Sequence, residues 1–372
     1  LFDRMREAGV LVRVFNPPNL ADPLGWITRN HRKTITVDDR VAFVSGLCVS
    51  DKWEGDIARK LQPWRDTGIQ IDGPAAAEVS HAFDDVWRAC GGDDDCLPAA
   101  VPTADHPGSI PARIVAGVPN HTGTDRLDLV SASLARRYLW LTDAYFVGTT
   151  GYVRALCGAA NAGVDVRLLV PGSNDWPIVG ALSRAGYRSL LESGVRVFEW
   201  NGPMLHAKTA VADGCWSRVG SSNSNLASWT SNRELDVTIQ DPEFAAQMMA
   251  MYEQDLGNAT EIVLHAGKMR RSSRTPSGKA MRRRKKYASR SRLMAGAVGL
   301  GSTVGAALTR HRALGAAESG VLFTGGVVVT AISLIGLLAP RFLAYPLGLV
   351  GAWLGVSLLV RAWRTRRRRQ KA

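Results

Sequence analysis

Apolar residues over the first two-thirds of the chain fall in short runs separated by small-residue turns, the pattern of an α/β protein. YLWLTDAYFV (138–147) and VDVRLLVPG (164–172) predict two strands, with a helix over VRALCGAANAG between them. EAGVLVRVF (7–15) and ESGVRVFEW (192–200) each predict a helix end with Gly at its cap, followed by a strand. From Lys268 the pattern changes. Residues 268–292 show no apolar periodicity. Leu293–Thr309 is a short Gly- and Ala-rich stretch, and Gly320–Pro340 and Phe342–Val360 are uncharged apolar runs. Each of the last two is near the ~20 residues that span a bilayer, so a transmembrane hairpin is expected there.

The element order also contains a repeat. HRKTITVDDRVAFVSGLC (31–48) matches HAKTAVADGCWSRVGSSN (206–223) at a constant offset of 175. His31 falls on His206, Lys33 on Lys208, Thr34 on Thr209, Asp38 on Asp213 and Val44 on Val219. Downstream, Trp64-Arg65-Asp66 matches Asn232-Arg233-Glu234, each before another strand. The chain therefore reads as two pseudo-symmetric halves, 1–100 and 101–260, then a basic linker 261–292 and a membrane region 293–372 with a basic tail. The second half has a strand–helix–strand unit before its histidine motif that the first half lacks, so the first half is expected to be N-terminally incomplete.

Charge sharpens this division. The formal net charge is +13. Residues 268–372 hold 22 Lys or Arg and one acid, Glu318, and the preceding 267 residues hold 24 basic and 32 acidic residues. The front is thus mildly acidic, which argues against a nucleic-acid enzyme, whose positive charge gathers where phosphates bind. Twelve basic residues in 268–292 and seven at the end flank the apolar pair on one side. By the positive-inside rule that side is cytoplasmic. The five cysteines, Cys48, Cys90, Cys96, Cys157 and Cys215, have irregular spacing and make no disulfide framework, which fits a reducing compartment. Asp93-Asp94-Asp95 reads as a solvated loop, and no metal site is expected.

The repeated His-x-Lys carries the chemistry. On an extended segment, positions i and i+2 share a face, so the imidazole and the ammonium enter one cleft. A neutral imidazole attacks phosphorus and a protonated one delivers a proton to a leaving oxygen, while lysine neutralises the non-bridging oxygens. Two such pairs facing each other supply nucleophile, acid and two cations, with no cofactor. Ser45, Gly220, Ser221, Ser222 and Asn223 offer amides and hydroxyls suited to phosphate oxygens. Asp66 and Glu234 follow their histidines by 35 and 28 residues at matching points, each suited to accept the second ring N–H and fix the tautomer.

His31-x-Lys33-x4-Asp38 and His206-x-Lys208-x4-Asp213-x6-Gly220-Ser221-x-Asn223 resemble the paired signature of the phospholipase D superfamily. NHRKTITVDDRVAFVSG and LHAKTAVADG…GSSN resemble its bacterial cardiolipin synthase branch. The resemblance covers about residues 1–255. It implies an α/β fold of two phospholipase D-like halves, mixed sheets flanked by helices, with one active site between them and a covalent phosphohistidine intermediate. The catalytic set it implies is His31, Lys33, Asp38, His206, Lys208 and Asp213, with His31 as nucleophile and His206 as general acid. The two aspartates are more structural than chemical in the family. Ser45 stands where the family usually has Gly, and Cys48 where it has Asn. The function implied is phosphatidyl transfer to a lipid or glycerol hydroxyl, on an anionic phospholipid at a bacterial-type cytoplasmic membrane, multi-pass, with the catalytic domain inside. Hydrolysis to phosphatidic acid is the alternative, ahead of a nuclease or an inactive membrane-binding protein.

Overall fold

The computed structural model describes residues 1–17, 28–56, 58–59, 61–93, 108–119, 123–265 and 268–271, with scattered positions between 334 and 356. The chain divides into two compact units, residues 1–29 with 314–372, and residues 30–313.

In the first unit, helix α1 (Phe2–Glu7) ends at Gly9, whose φ of 83° is the left-handed conformation expected of a glycine helix stop. Residues 10–14, predicted as a strand, are not one. No strand is assigned there, and Val10, Leu11 and Val14 are exposed. The expected membrane hairpin and the stretch 293–309 lie outside the described residues, apart from scattered helical positions beyond 333. Among the described residues no helix is long and apolar enough to cross a membrane.

The second unit holds two sheets. The first is an antiparallel meander of β1 (Thr34–Val37), β2 (Val41–Ser45) and β3 (Gly68–Asp72), with the short helix α2 (Asp51–Glu54) before β3 and α3 (Ala75–Ala89) after it. The second sheet has nine strands in the order β12-β11-β7-β6-β5-β8-β9-β10-β4. These are β4 (Ala112–Gly117), β5 (Tyr138–Thr142), β6 (Asp165–Pro171), β7 (Arg196–Trp200), β8 (Thr209–Ala212), β9 (Trp216–Gly220), β10 (Glu234–Gln240), β11 (Ala259–His265) and β12 (Lys268–Arg271).

Strands β5, β6 and β7 are parallel, joined by crossovers through α5 (Thr150–Asn161) and α6 (Pro177–Glu192). The remaining pairs are antiparallel. The central strands are apolar almost throughout because both faces are covered. Leu139, Leu141, Leu168 and Val197 pack towards α5 and α6. Trp140, Leu169, Phe198 and Val211 pack towards α8 (Pro242–Gly257). A third core joins the two sheets: Ala42, Val44 and Ile71 with α3 meet Leu235, Val237 and Ile239 of β10. The sheet continues through β11 and β12 to Arg271, past residue 260 where the pattern placed the start of a linker. The cause is pairing that periodicity does not reveal: Ala259–Ile262 register against β7 and Ile262–His265 against β12.

Candidate active site

Each histidine is seated by the opposite half of the repeat. Asn30 bridges in parallel to Arg233, and the His31 amide donates to the Arg233 carbonyl at 2.9 Å. Arg65 bridges in parallel to Leu205, and the His206 amide donates to the Arg65 carbonyl at 2.7 Å. These two short pairings set each carboxylate beside the other half's imidazole. His31 Nδ1 lies 2.8 Å from Glu234 Oε2, and His206 Nδ1 lies 2.9 Å from Asp66 Oδ2. The expected orienting carboxylates are therefore both in place, but exchanged between halves.

Both carboxylates are deeply buried. Burial pushes Glu234 up, but the His31 charge and hydrogen bond, with the Ser221 hydroxyl at 2.6 Å, outweigh it and hold the carboxyl below its ordinary range. Asp66 behaves likewise. Burial raises it, while its hydrogen bond to His206 and the nearby Lys208 lower it further.

The lysines behave alike. Lys33 Nζ donates to the His31 carbonyl at 2.6 Å, and Lys208 Nζ donates to the His206 carbonyl. Lys208 Nζ also lies 2.9 Å from His206 Nδ1 and 3.0 Å from Nε2. Nearly equal distances to the two ring nitrogens place the ammonium against the face of the imidazole, whose Nδ1 is directed at Asp66. Burial lowers Lys208 to about 7, with Asp66 opposing and Lys33 adding to the fall. Burial also lowers Lys33, against the field of both Asp66 and Glu234. The four groups thus share one electrostatic cluster.

The two imidazoles differ. The His31 side chain is 25% exposed and that of His206 is 6% exposed. Trp53, Trp64 and Tyr145 surround the His206 ring, at centroid distances of 5.2, 5.7 and 5.8 Å. That enclosure lowers His206 to about 4, burial being the main cause and the Asp66 hydrogen bond opposing it. The Tyr145 hydroxyl donates to Asp175 at 2.7 Å, and Lys52 lies over Trp64 and 3.7 Å from the same Asp175. The pattern of apolar positions did not mark these aromatic residues as part of the site. Their only signal was that Trp64 precedes Arg65-Asp66 in the repeat.

The residues expected to hold phosphate are placed differently. Ser221 and Ser222 are fully buried, and their hydroxyls donate to Glu234 and Asp236 rather than facing a cleft. The Gly220 and Ser45 amides donate to the carbonyls of Lys208 and Lys33 as continuations of the strand ladders. The Ser45 hydroxyl accepts from the Leu47 amide. Of this set, only Asn223 keeps a buried side-chain oxygen with no partner. A buried network supports the loop: Asp143 accepts from the Ser224 amide, and Asp128 takes Arg218 and the Trp229 indole.

Asp38 and Asp213 stand apart from the histidines. Both occupy hairpin turns at the far ends of β1 and β8 with positive φ, 51° and 54°, and Asp213 accepts three backbone N–H groups from residues 136–138. Cys48 is half-buried, within electrostatic range of Lys33 and Tyr145.

Residues 130–256 match the family model for the cardiolipin synthase, phospholipase D-like domain. The chain is phospholipase D-like. It is 30% identical over 269 residues to cardiolipin synthase 2 of Bacillus cereus, a match covering 70% of this chain and 51% of the relative. It is 33% identical over 267 residues to cardiolipin synthase A of Pseudomonas putida strain GB-1, covering 69% and 54%. This phospholipase D-like chain therefore spans about half the length of the curated relatives it matches. Among solved structures, phosphatidylserine synthase of Haemophilus influenzae Rd KW20 superposes with a TM-score of 0.49 at 14% identity, over 63% of this chain and 64% of that one.

Proposed function

We propose that the chain is a phosphatidyltransferase of the cardiolipin synthase type, passing a phosphatidyl group through a phosphohistidine to a lipid or glycerol hydroxyl. The reciprocal pairing of His31 with Glu234 and of His206 with Asp66, with both lysines in the same cluster, carries this reading. A histidine oriented through Nδ1 presents Nε2 to substrate. The more exposed imidazole, His31, attacks phosphorus, and a P–N bond forms as the bond from phosphorus to the leaving alcohol oxygen breaks. His206 gives that oxygen its proton. A bound phosphodiester anion draws the Lys208 ammonium off His206 and raises the imidazole into the range of a proton donor. In the second half-reaction His206 takes the proton of the incoming hydroxyl, whose oxygen attacks phosphorus, and the P–N bond breaks to release His31. No proton or electron is left over, and the sequence of steps consumes no cofactor.

The relatives that the chain matches are named cardiolipin synthases, which favours an anionic phospholipid as donor. The basic and apolar segments beyond residue 271 favour a membrane anchor, with the catalytic halves on the cytoplasmic face. The test is incubation of the full chain with phosphatidylglycerol vesicles and mass spectrometry of the lipids. Cardiolipin with released glycerol is expected. Phosphatidic acid alone would make the protein a hydrolase, and unchanged lipid would remove it from the transferases. Reagent labelling of cysteines introduced into 272–292 checks the topology: modification from outside intact cells would refute it.

A further inference from the structure

The two halves hold their orienting carboxylates by different means. In the second half, Glu234 Oε2 takes two donors, His31 Nδ1 and the Ser221 hydroxyl. The repeat offset of 175 places Gly46 where Ser221 would be in the first half. No hydroxyl can stand there, because even a Cβ at Gly46 would lie 2.4 Å from Asp66 Oδ1. Yet Asp66 Oδ2 also has two donors, His206 Nδ1 at 2.9 Å and the indole N–H of Trp53 at 2.8 Å. Its other oxygen is taken by the Thr67 amide at 2.8 Å.

We propose that Trp53 is a positioning residue for His206, acting through Asp66, and that its indole N–H replaces the serine hydroxyl that the other half uses. The local chain is built to hold the indole there. Ser50 caps α2 through the Lys52 amide, Gly55 ends it at φ 77°, and the Trp64 amide donates to the Lys52 carbonyl at 2.8 Å. That last bond brings Trp64 against Trp53, with ring centroids 4.9 Å apart, so that both indoles pack on His206.

A carboxylate oxygen shared between two donors is a weaker acceptor for each of them. Trp53 therefore limits how strongly Asp66 holds a proton on His206. It also fixes the plane of the carboxylate, and hence the direction of Nε2. The inference uses the transfer mechanism only for its effect on rate, because imidazole titration is measured without substrate.

The experiment follows the His206 imidazole by NMR in the full chain labelled at histidine, across the pH range, in the parent protein and in Trp53→Phe. His206 is assigned by loss of its signal in His206→Asn. Trp53→Phe is expected to raise the His206 midpoint by about half a pH unit or more, since Asp66 then gives its full charge to the ring. In an Asp66→Asn background the same substitution is expected to move the midpoint by less than about 0.2 unit, because the coupled partner is gone. An unmoved midpoint in the parent background would overturn the proposal. So would an equal shift in both backgrounds, which would mean that the indole acts by packing alone. Should Trp53→Phe fail to fold, benzothienylalanine at position 53 keeps the bicyclic ring and replaces only the N–H with sulfur, and the same two outcomes apply. In turnover, Trp53→Phe is expected to lower kcat roughly tenfold with KM little changed. A parent protein that turns over no phosphodiester would defeat the proposed function and leave the titration result standing.

Discussion

His31 Nδ1 rests 2.8 Å from Glu234 Oε2, a contact between residues 203 positions apart that crosses from one half of the repeat to the other. Neither half alone holds an oriented histidine. Glu234→Gln keeps the shape of the pair and removes its charge, and the amide can present N–H to the ring and select the wrong tautomer. The expected loss in kcat is roughly 10²- to 10⁴-fold with KM within a few-fold. Once His31 is replaced by Ala, adding Glu234→Gln should cost almost nothing more, because the two act as one unit. Steady-state rates of the single and double variants on phosphatidylglycerol vesicles check both expectations.

Acid should cost stability through His206. Burial lowers it to about 4 in the folded chain, against ~6.5 for an unfolded histidine. Above pH ~6.5 both states are neutral and the group contributes nothing. As pH falls from there towards 4, the unfolded chain takes up a proton that the folded chain refuses, so stability is lost progressively, by at most ~3 kcal/mol at pH 4. Asp128, which burial pushes up to about 7 against Arg218, works in the opposite sense over an overlapping window. The difference between the parent and His206→Asn isolates the histidine. Denaturant unfolding at pH 7 and at pH 4.5 should show the parent losing more stability than the variant. Equal losses would mean that the folded histidine titrates normally.

Alkali should act through Lys208. In the proposed reaction its ammonium must be charged to meet a phosphate, and burial lowers it to about 7. The profile of kcat/KM reports the free enzyme, so it should fall as pH rises above about 7. A bound phosphodiester anion holds the proton on, so the alkaline limb of kcat should lie at higher pH than that of kcat/KM. Lys208→Arg, whose guanidinium keeps its charge, should lose the limb near 7 although its rate is lower. Coincident limbs in the two profiles would contradict this.

The paired histidines and lysines were legible in the sequence because the motif is written twice. His31 and Lys33 recur as His206 and Lys208, and alternation along an extended segment puts each pair on one face. Asp66 and Glu234 were legible for the same reason. Their exchange was not, because a repeat shows which residues correspond and says nothing of which half each one touches. That depends on Asn30 bridging to Arg233 and Arg65 to Leu205, single contacts with no periodic signature. The bonds of Ser221 and Ser222 were not legible because a small-residue turn is equally suited to holding phosphate and to holding a buried carboxylate. The deciding residues, Glu234 and Asp236, lie 12 or more positions away. Trp53 was invisible because the offset of 175 pairs it with Ser228, a small residue that gives no hint of an indole at that place. Strands β5 and β6 were found from continuous apolar runs, whereas β12, rich in Lys and Arg, reads as linker until its partner β11 is known.

Asp213 carries the same motif as the histidines and should nonetheless behave as a structural residue. Its carboxylate accepts the amides of Arg136 at 2.8 Å, Arg137 at 2.7 Å and Tyr138 at 3.0 Å, tying the β8–β9 turn to the start of β5. Partial burial raises the carboxyl, but these three donors outweigh it and hold it below its ordinary range. Its φ of 54° is left-handed, a conformation that Asp and Asn tolerate better than Ala. Asp213→Ala therefore removes three bonds and adds backbone strain, for an expected loss of roughly 2–4 kcal/mol. Asp213→Asn keeps the tolerated backbone and one acceptor oxygen, and should lose about half as much. Turnover per folded molecule at low temperature should stay within about twofold of the parent for both, since a whole strand, β8, separates this turn from Lys208. Thermal unfolding and active-site-normalised rates distinguish the two roles. A rate loss of 100-fold or more in Asp213→Asn, with its unfolding temperature unchanged, would restore the aspartate to the catalytic set.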